Sequence, residues 1–254
     1  MSNISSNCLF HFTPKRKFLI NILEQSFVPR YCLENLKLSN VYQSEFSAAI
    51  PMTCFCDISL SQIGNHIDMY GSYGLGMTKE WGIEKKLNPV LYINPDSLIS
   101  DSIRKLSDSI FLDLNRDCNE ISNKIYDEYI NLVCFTKSYD GPFRKSDKQY
   151  KNIRFYNERE WRYVPKLNFG GDAKFFLNSR EVKDEQLVKK ENQKLFKHRL
   201  CFDSNDIKYI FVKKESEIHS IIKALKKLNQ RFSCEEIEIL TSKIITVEQI
   251  KSDF

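Results

Sequence analysis

Between residues 97 and 135 the apolar side chains Leu98, Ile103, Leu106, Ile110, Leu114, Ile121, Ile125, Tyr129 and Leu132 recur at helical spacing, with no proline among them. That pattern predicts one or two helices with an apolar stripe. Segments rich in β-branched and aromatic residues stand on both sides of it, so the chain must combine a sheet with a helical insertion.

Upstream, residues 8–13 predict a short strand with Leu9, His11 and Thr13 on one side and Cys8, Phe10 and Phe12 on the other. Thr13 is placed to cap a helix, Pro14 suits its first turn, and Leu19, Ile22 and Leu23 supply its buried stripe. Residues 48–58, 70–78 and 90–93 read as further strands. Downstream, the polar stretch 137–152 holds Gly141 and Pro142 and reads as a mobile surface loop. Residues 153–165, IRFYNEREWRYVP, alternate as a strand, with Tyr156, Glu158, Glu160 and Arg162 on one face and Arg159, Trp161 and Tyr163 on the other. A strand at 207–212, a helix marked by Ile218, Ile221, Ile222, Leu225 and Leu228, and a strand region at 237–245 complete the expectation.

Strands and helices do not follow a strict βαβ rhythm, and neither repeats nor a linker divide the chain. The expected fold class is therefore α+β, one domain over residues 1–254 with a mixed sheet and a helical insertion at about 97–135. A chain of 254 residues, 42% of them hydrophobic, can bury one large core.

No run approaches the roughly 18 to 20 apolar residues of a membrane helix, and the N-terminus lacks a basic head followed by an apolar run. A cytoplasmic protein without membrane contact is expected. In that compartment the eight scattered cysteines read as reduced, mostly buried thiols. No CxxC or HxxxH pair supports a metal site. The net charge of +5 is too mild for a dedicated nucleic-acid binder, though it is compatible with attraction to a polyanion.

Glu158 and Glu160 form the sharpest chemical signal. Two residues apart on a strand, their carboxylates would share a face at roughly 6.5 to 7 Å. Their repulsion would suit a site that stabilises a sugar cation or binds its hydroxyls. The plainer alternative is a solvated edge strand on which the pair meets Arg162, Arg159 or a lysine at little net gain. His11, opposite an apolar strand face, could bind a ribose hydroxyl or act as acid or base. Glycines 71, 74 and 76 in MYGSYGLGM would let a flat ligand approach the backbone beside Tyr70 or Tyr73, or would simply serve a bulge. No dinucleotide fingerprint, P-loop, GxSxG elbow or HExxH motif occurs. The lysines at 189, 190, 194 and 197 and at 223, 226 and 227 could touch phosphates but are explained by solvated helix faces.

Taken in order, LFHFT at 9–13, IPMTCFCDI at 50–58, YGSYGLGMTKEW at 70–81 and FYNEREWRYVP at 155–165 resemble the AbiGi-like abortive-infection family of bacterial phage-defence proteins. A broader similarity is to ADP-ribosyltransferase-like folds, with a mostly antiparallel split sheet whose early, central and late strands line an NAD cleft. That resemblance implies NAD as co-substrate and no metal. It implies that His11, with Thr13, holds the NAD ribose, that Tyr73 or Tyr70 beside Gly74 stacks on nicotinamide, and that Glu160 binds the 2′-hydroxyl and stabilises the oxocarbenium ion. Glu158 would orient the acceptor. Negative charge set beside a developing sugar cation would supply much of such a rate enhancement.

The leading expectation is thus an NAD-dependent ADP-ribosyltransferase acting in phage defence on RNA, DNA or protein. The rival is a catalytically silent binding protein that uses the same cleft or its basic face to restrain a partner toxin, as an antitoxin, or to sense a phage component. NAD hydrolysis without an acceptor is a third possibility. One feature separates catalysis from restraint: a buried, fully salt-bridged Glu160 favours the silent protein.

Overall fold

The computed structural model of the chain describes residues 6–36, 46–114, 120–145, 148–167 and 171–253. The chain opens with strand β1 (Cys8–Thr13), helix α1 (Arg16–Gln25) and strands β2 (Arg30–Leu36) and β3 (Phe46–Cys56). Helix α2 (Gly64–Tyr70), strand β4 (Tyr73–Thr78), helix α3 (Lys79–Glu84) and the short strands β5 (Asn88–Pro89) and β6 (Leu91–Ile93) follow. Two helices, α4 (Leu98–Leu114) and α5 (Glu120–Cys134), lead to strands β7 (Thr136–Ser138), β8 (Gly141–Lys145), β9 (Lys148–Ile153) and β10 (Glu160–Tyr163). The last third holds β11 (Leu177–Asn178), α6 (Glu185–Lys194), β12 (Ile207–Val212), α7 (Ile218–Lys226), α8 (Cys234–Ser242), β13 (Ile244–Thr246) and α9 (Val247–Asp253).

The architecture is α+β around a mixed, mostly antiparallel sheet in the order β13-β12-β4-β1-β3-β10-β5. Only the β12–β13 pairing in that order is parallel. Strand β3 is the branch point: its first half pairs with β2 and β11, its last residues with β1 and β10. One face of the sheet carries Leu9, Phe55, Leu75 and Met77 against Leu19 and Leu23 of α1, Trp81 of α3, Ile221 and Leu225 of α7 and Leu240 of α8. The opposite face carries Phe10, Phe12, Cys56 and Phe211 against Ile67 of α2 and Ile250 of α9. Strict side-chain alternation makes this division, and burial of two apolar faces is the main force holding the layers together. The helical insertion forms where the periodicity predicts it and builds a small core of its own from Ile103, Ile110, Tyr129 and Val133.

Several local expectations need correction. Thr13 does not cap α1: its hydroxyl donates to the Lys15 carbonyl, and Lys15 occupies the cap position. Tyr70 ends a helix rather than opening a strand, because Gly71 takes φ 120° and terminates α2, a conformation only glycine adopts readily. The described residues of 137–152 are not simply a loop; they hold the end of β7, all of β8 and most of β9. Strands β8 and β9 pair with each other, away from the main sheet, so their sequence needs no apolar alternation. Likewise β6 pairs in parallel with β7, outside the main sheet. The strand expected at 153–165 is confined to β10, with a 3₁₀ turn over Phe155–Glu158 before it. The strand expected at 237–245 is mostly helix α8, begun by a capping box in which Ser233 and Glu236 bond each other's backbone amides. Among the seven described cysteines none is paired, and Cys201 and Cys234 are exposed rather than buried. Among the described residues no helix is long and apolar enough to cross a membrane.

The glycines of the MYGSYGLGM stretch are occupied by the chain itself. A Cβ on Gly71 would lie 2.3 Å from the Thr13 carbonyl oxygen, and one on Gly74 2.2 Å from that of His11. We expect Gly71→Ala to lower the unfolding free energy by about 1–3 kcal/mol in urea titrations. Gly64→Ala, where nothing lies within 4 Å, should leave it unchanged or raise it slightly.

Candidate functional site

Glu160 opens β10 and Glu158 closes the turn before it, separated by Arg159 in the left-handed region at φ 44°. The kink takes Glu158 out of the strand, yet the two carboxylates still converge, because Lys137 of β7 reaches between them. Its Nζ donates to Glu158 Oε2 and Glu160 Oε2, each at 2.6 Å. The other oxygen of Glu160 accepts from Arg162 Nε at 2.5 Å. Arg162, with no solvent exposure, continues through Nη2 to Glu34 Oε1 of β2 at 3.0 Å and through Nη1 to the Cys134 carbonyl at 2.8 Å. Tyr70 closes the other end, its hydroxyl donating to Glu158 Oε1 at 2.6 Å. Tyr92 supports the strand start by accepting from the Glu160 amide at 2.7 Å.

This is a buried chain of three carboxylates, an ammonium and a guanidinium. Burial would raise the Glu160 carboxyl, but Arg162 and Lys137 beside it hold it down at about 2. Burial would likewise lower the Lys137 amine, but Glu160 and Glu158 keep it well above its usual value. For Glu34 burial wins over Arg162 and Lys137, and its pKa is raised. At neutral pH Glu160 is therefore an ionised carboxylate with each oxygen accepting from a buried cation. That arrangement locks elements together.

Strand register separates the remaining candidates. Phe10 lies opposite Cys56, and Cys56 opposite Glu160, so Glu160 shares the face of Phe10. His11 lies on the other face, its ring 5.2 Å from that of Phe27 and 5.5 Å from that of Phe55. Its Nδ1 donates to the Cys54 carbonyl at 2.8 Å, and burial lowers its pKa despite that bond. Thr13, Gly74 and Tyr73 cluster near it: Tyr73 lies opposite Thr13, and Gly74 opposite Phe12. The Tyr73 hydroxyl donates to Glu217 at 3.0 Å. Tyr70, by contrast, belongs with Glu158 and Glu160. The residues expected to form one surface thus divide into His11, Thr13 and Tyr73 on one side of the sheet and Tyr70, Glu158 and Glu160 on the other.

The plainer reading of the glutamate pair anticipates the Arg162 partnership, but not its setting: β10 is no solvated edge strand, since it lies between β3 and β5 with Glu158, Glu160 and Arg162 buried. Neither Lys137, in the stretch read as a loop, nor Glu34 is marked by any local pattern. Both become partners only through tertiary pairing.

The network generates two expected outcomes. Removing the Glu160 charge leaves two buried cations undercompensated, so Glu160→Gln should cost about 3–5 kcal/mol of stability in denaturant titrations, with a smaller loss for Glu34→Gln. Because the folded Glu160 pKa of about 2 lies below the usual 4.5, its contribution is complete above pH about 4.5 and lost as pH falls toward about 2. The wild type should therefore lose stability over that acid window more steeply than Glu160→Gln.

Comparison with known proteins comes from sequence. Residues 25–213 match the family model described as "Putative abortive phage resistance protein AbiGi, antitoxin". The abortive phage resistance protein AbiGi of Lactococcus lactis subsp. cremoris is 32% identical over 256 aligned residues, covering 90% of this chain and 100% of that protein. No solved structure matches the chain significantly. The family match over most of the length, together with this relative, makes the chain a member of the AbiGi abortive phage resistance family.

Proposed function

We propose that the chain is the non-catalytic, restraining member of an abortive-infection toxin–antitoxin pair, acting by binding a toxin. The observation that carries this reading is the state of Glu160, whose two oxygens are taken by Arg162 and Lys137 in a buried setting. A carboxylate that stabilises an oxocarbenium ion must offer an oxygen to the sugar. Freeing Glu160 for that role would strand two buried cations, at a cost of several kcal/mol. The placement of His11 on the opposite sheet face separates it from Glu160 as a joint NAD clamp. The word antitoxin in the family description agrees with restraint.

Two measurements test it. Co-expression of this chain should relieve the growth arrest caused by its toxin expressed alone. Purified protein incubated with labelled NAD and total RNA, DNA or lysate should release no nicotinamide and transfer no label. Label on a macromolecule would instead make the chain an ADP-ribosyltransferase, and nicotinamide release without transfer would make it an NAD glycohydrolase.

A further inference from the structure

Three tyrosines from separate stretches of chain meet at the surface: Tyr92 of β6, Tyr139 after β7 and Tyr156 in the turn before β10. The Tyr139 and Tyr156 rings stack with centroids 5.6 Å apart and planes at 29°. Tyr92 meets Tyr156 edge-on at 5.3 Å and 76°. The group is fixed from beneath, since the Tyr92 hydroxyl accepts from the Glu160 amide at 2.7 Å and the Tyr156 amide donates to the Tyr139 carbonyl at 3.2 Å. Tyr156 nevertheless stays 50% exposed. The Arg154 guanidinium lies 5.7 Å from the centre of the Tyr139 ring.

Contacts with Tyr139 and Tyr92 hold the half-exposed Tyr156 ring at the surface, with the Arg154 cation over the Tyr139 ring. Across residues 139–154, which include the β8–β9 hairpin, five basic residues stand against two acidic ones. A rigid aromatic surface with Arg154 beside it, in a stretch of sequence with a net positive charge, matches the chemistry of an unpaired base joined to successive phosphates. A duplex keeps its bases stacked on one another and offers no free face, and a neutral peptide would not use the charge.

We infer that the Tyr92, Tyr139 and Tyr156 platform binds single-stranded nucleic acid, with a base stacking on the exposed aromatic surface and Arg154 meeting the adjacent phosphate. This activity is separate from toxin restraint and does not depend on it.

The test is fluorescence anisotropy of a labelled mixed-sequence single strand, as DNA and as RNA, and of the matching duplex, at increasing salt. Wild type, Tyr156→Ala and Arg154→Glu are compared, with circular dichroism confirming that each variant is folded. Wild-type binding should weaken as salt rises. Tyr156→Ala should weaken binding about tenfold, and Arg154→Glu should weaken it and flatten its salt dependence. Absence of wild-type binding at low salt overturns the inference. So does equal affinity for duplex and single strand together with no effect of Tyr156→Ala.

Discussion

The Arg162 guanidinium is the point on which the middle of this molecule depends. It cannot lose its charge under ordinary conditions, and with no solvent exposure it must find its acceptors inside the protein. It finds them on four elements: Glu34 on β2, the Cys134 carbonyl at the end of α5, the Thr136 carbonyl on β7 and Glu160 on its own strand. Lys137 extends the chain to Glu158, and Glu158 to Tyr70 at the end of α2. The helical insertion is therefore tied to the branching sheet by charge-assisted bonds as well as by apolar packing, at the place where α5 returns beside β3. Such a network contributes little to stability when compared with an apolar substitute, but breaking any one member leaves its neighbours uncompensated.

The same satisfaction of charge bears on function. Each oxygen of Glu160 accepts from a buried cation, and His11 faces Phe27 and Phe55 across the sheet. Membership of a phage-resistance family described as antitoxin fits a protein whose rigid frame presents surfaces for binding. The tyrosine platform stands directly over this frame: the Tyr92 hydroxyl that accepts from the Glu160 amide also fixes the ring against which Tyr156 leans. A network that holds the interior thus also stiffens a patch of exterior.

Much of the fold was legible in the residues. The helical insertion, the opening strand with its two faces, the α1 stripe and the β12–α7 pair follow from periods of 3.6 and 2 that burial imposes on local sequence. Legibility failed where local and tertiary signals differ. Residues 137–152 carry no apolar alternation because β8 and β9 pair only with each other, so their polarity mimics a loop. Residues 237–245 carry an apolar run that reads as strand, and the Ser233–Glu236 box decides for helix instead.

The sequence by itself determined which residues could be neighbours on one strand: Glu160 with Arg162, and His11 with Leu9 and Thr13, because alternation is a property of the backbone. Only the tertiary structure decided which strand faces shared a side of the sheet, because that depends on register between segments far apart in the chain. Phe10 opposite Cys56 and Cys56 opposite Glu160 put His11 and Glu160 on opposite faces. Lys137 and Glu34, unremarkable where they stand in the sequence, became the partners that hold Glu160 and Arg162 because buried charge must be met by whatever opposite charge the fold brings within reach.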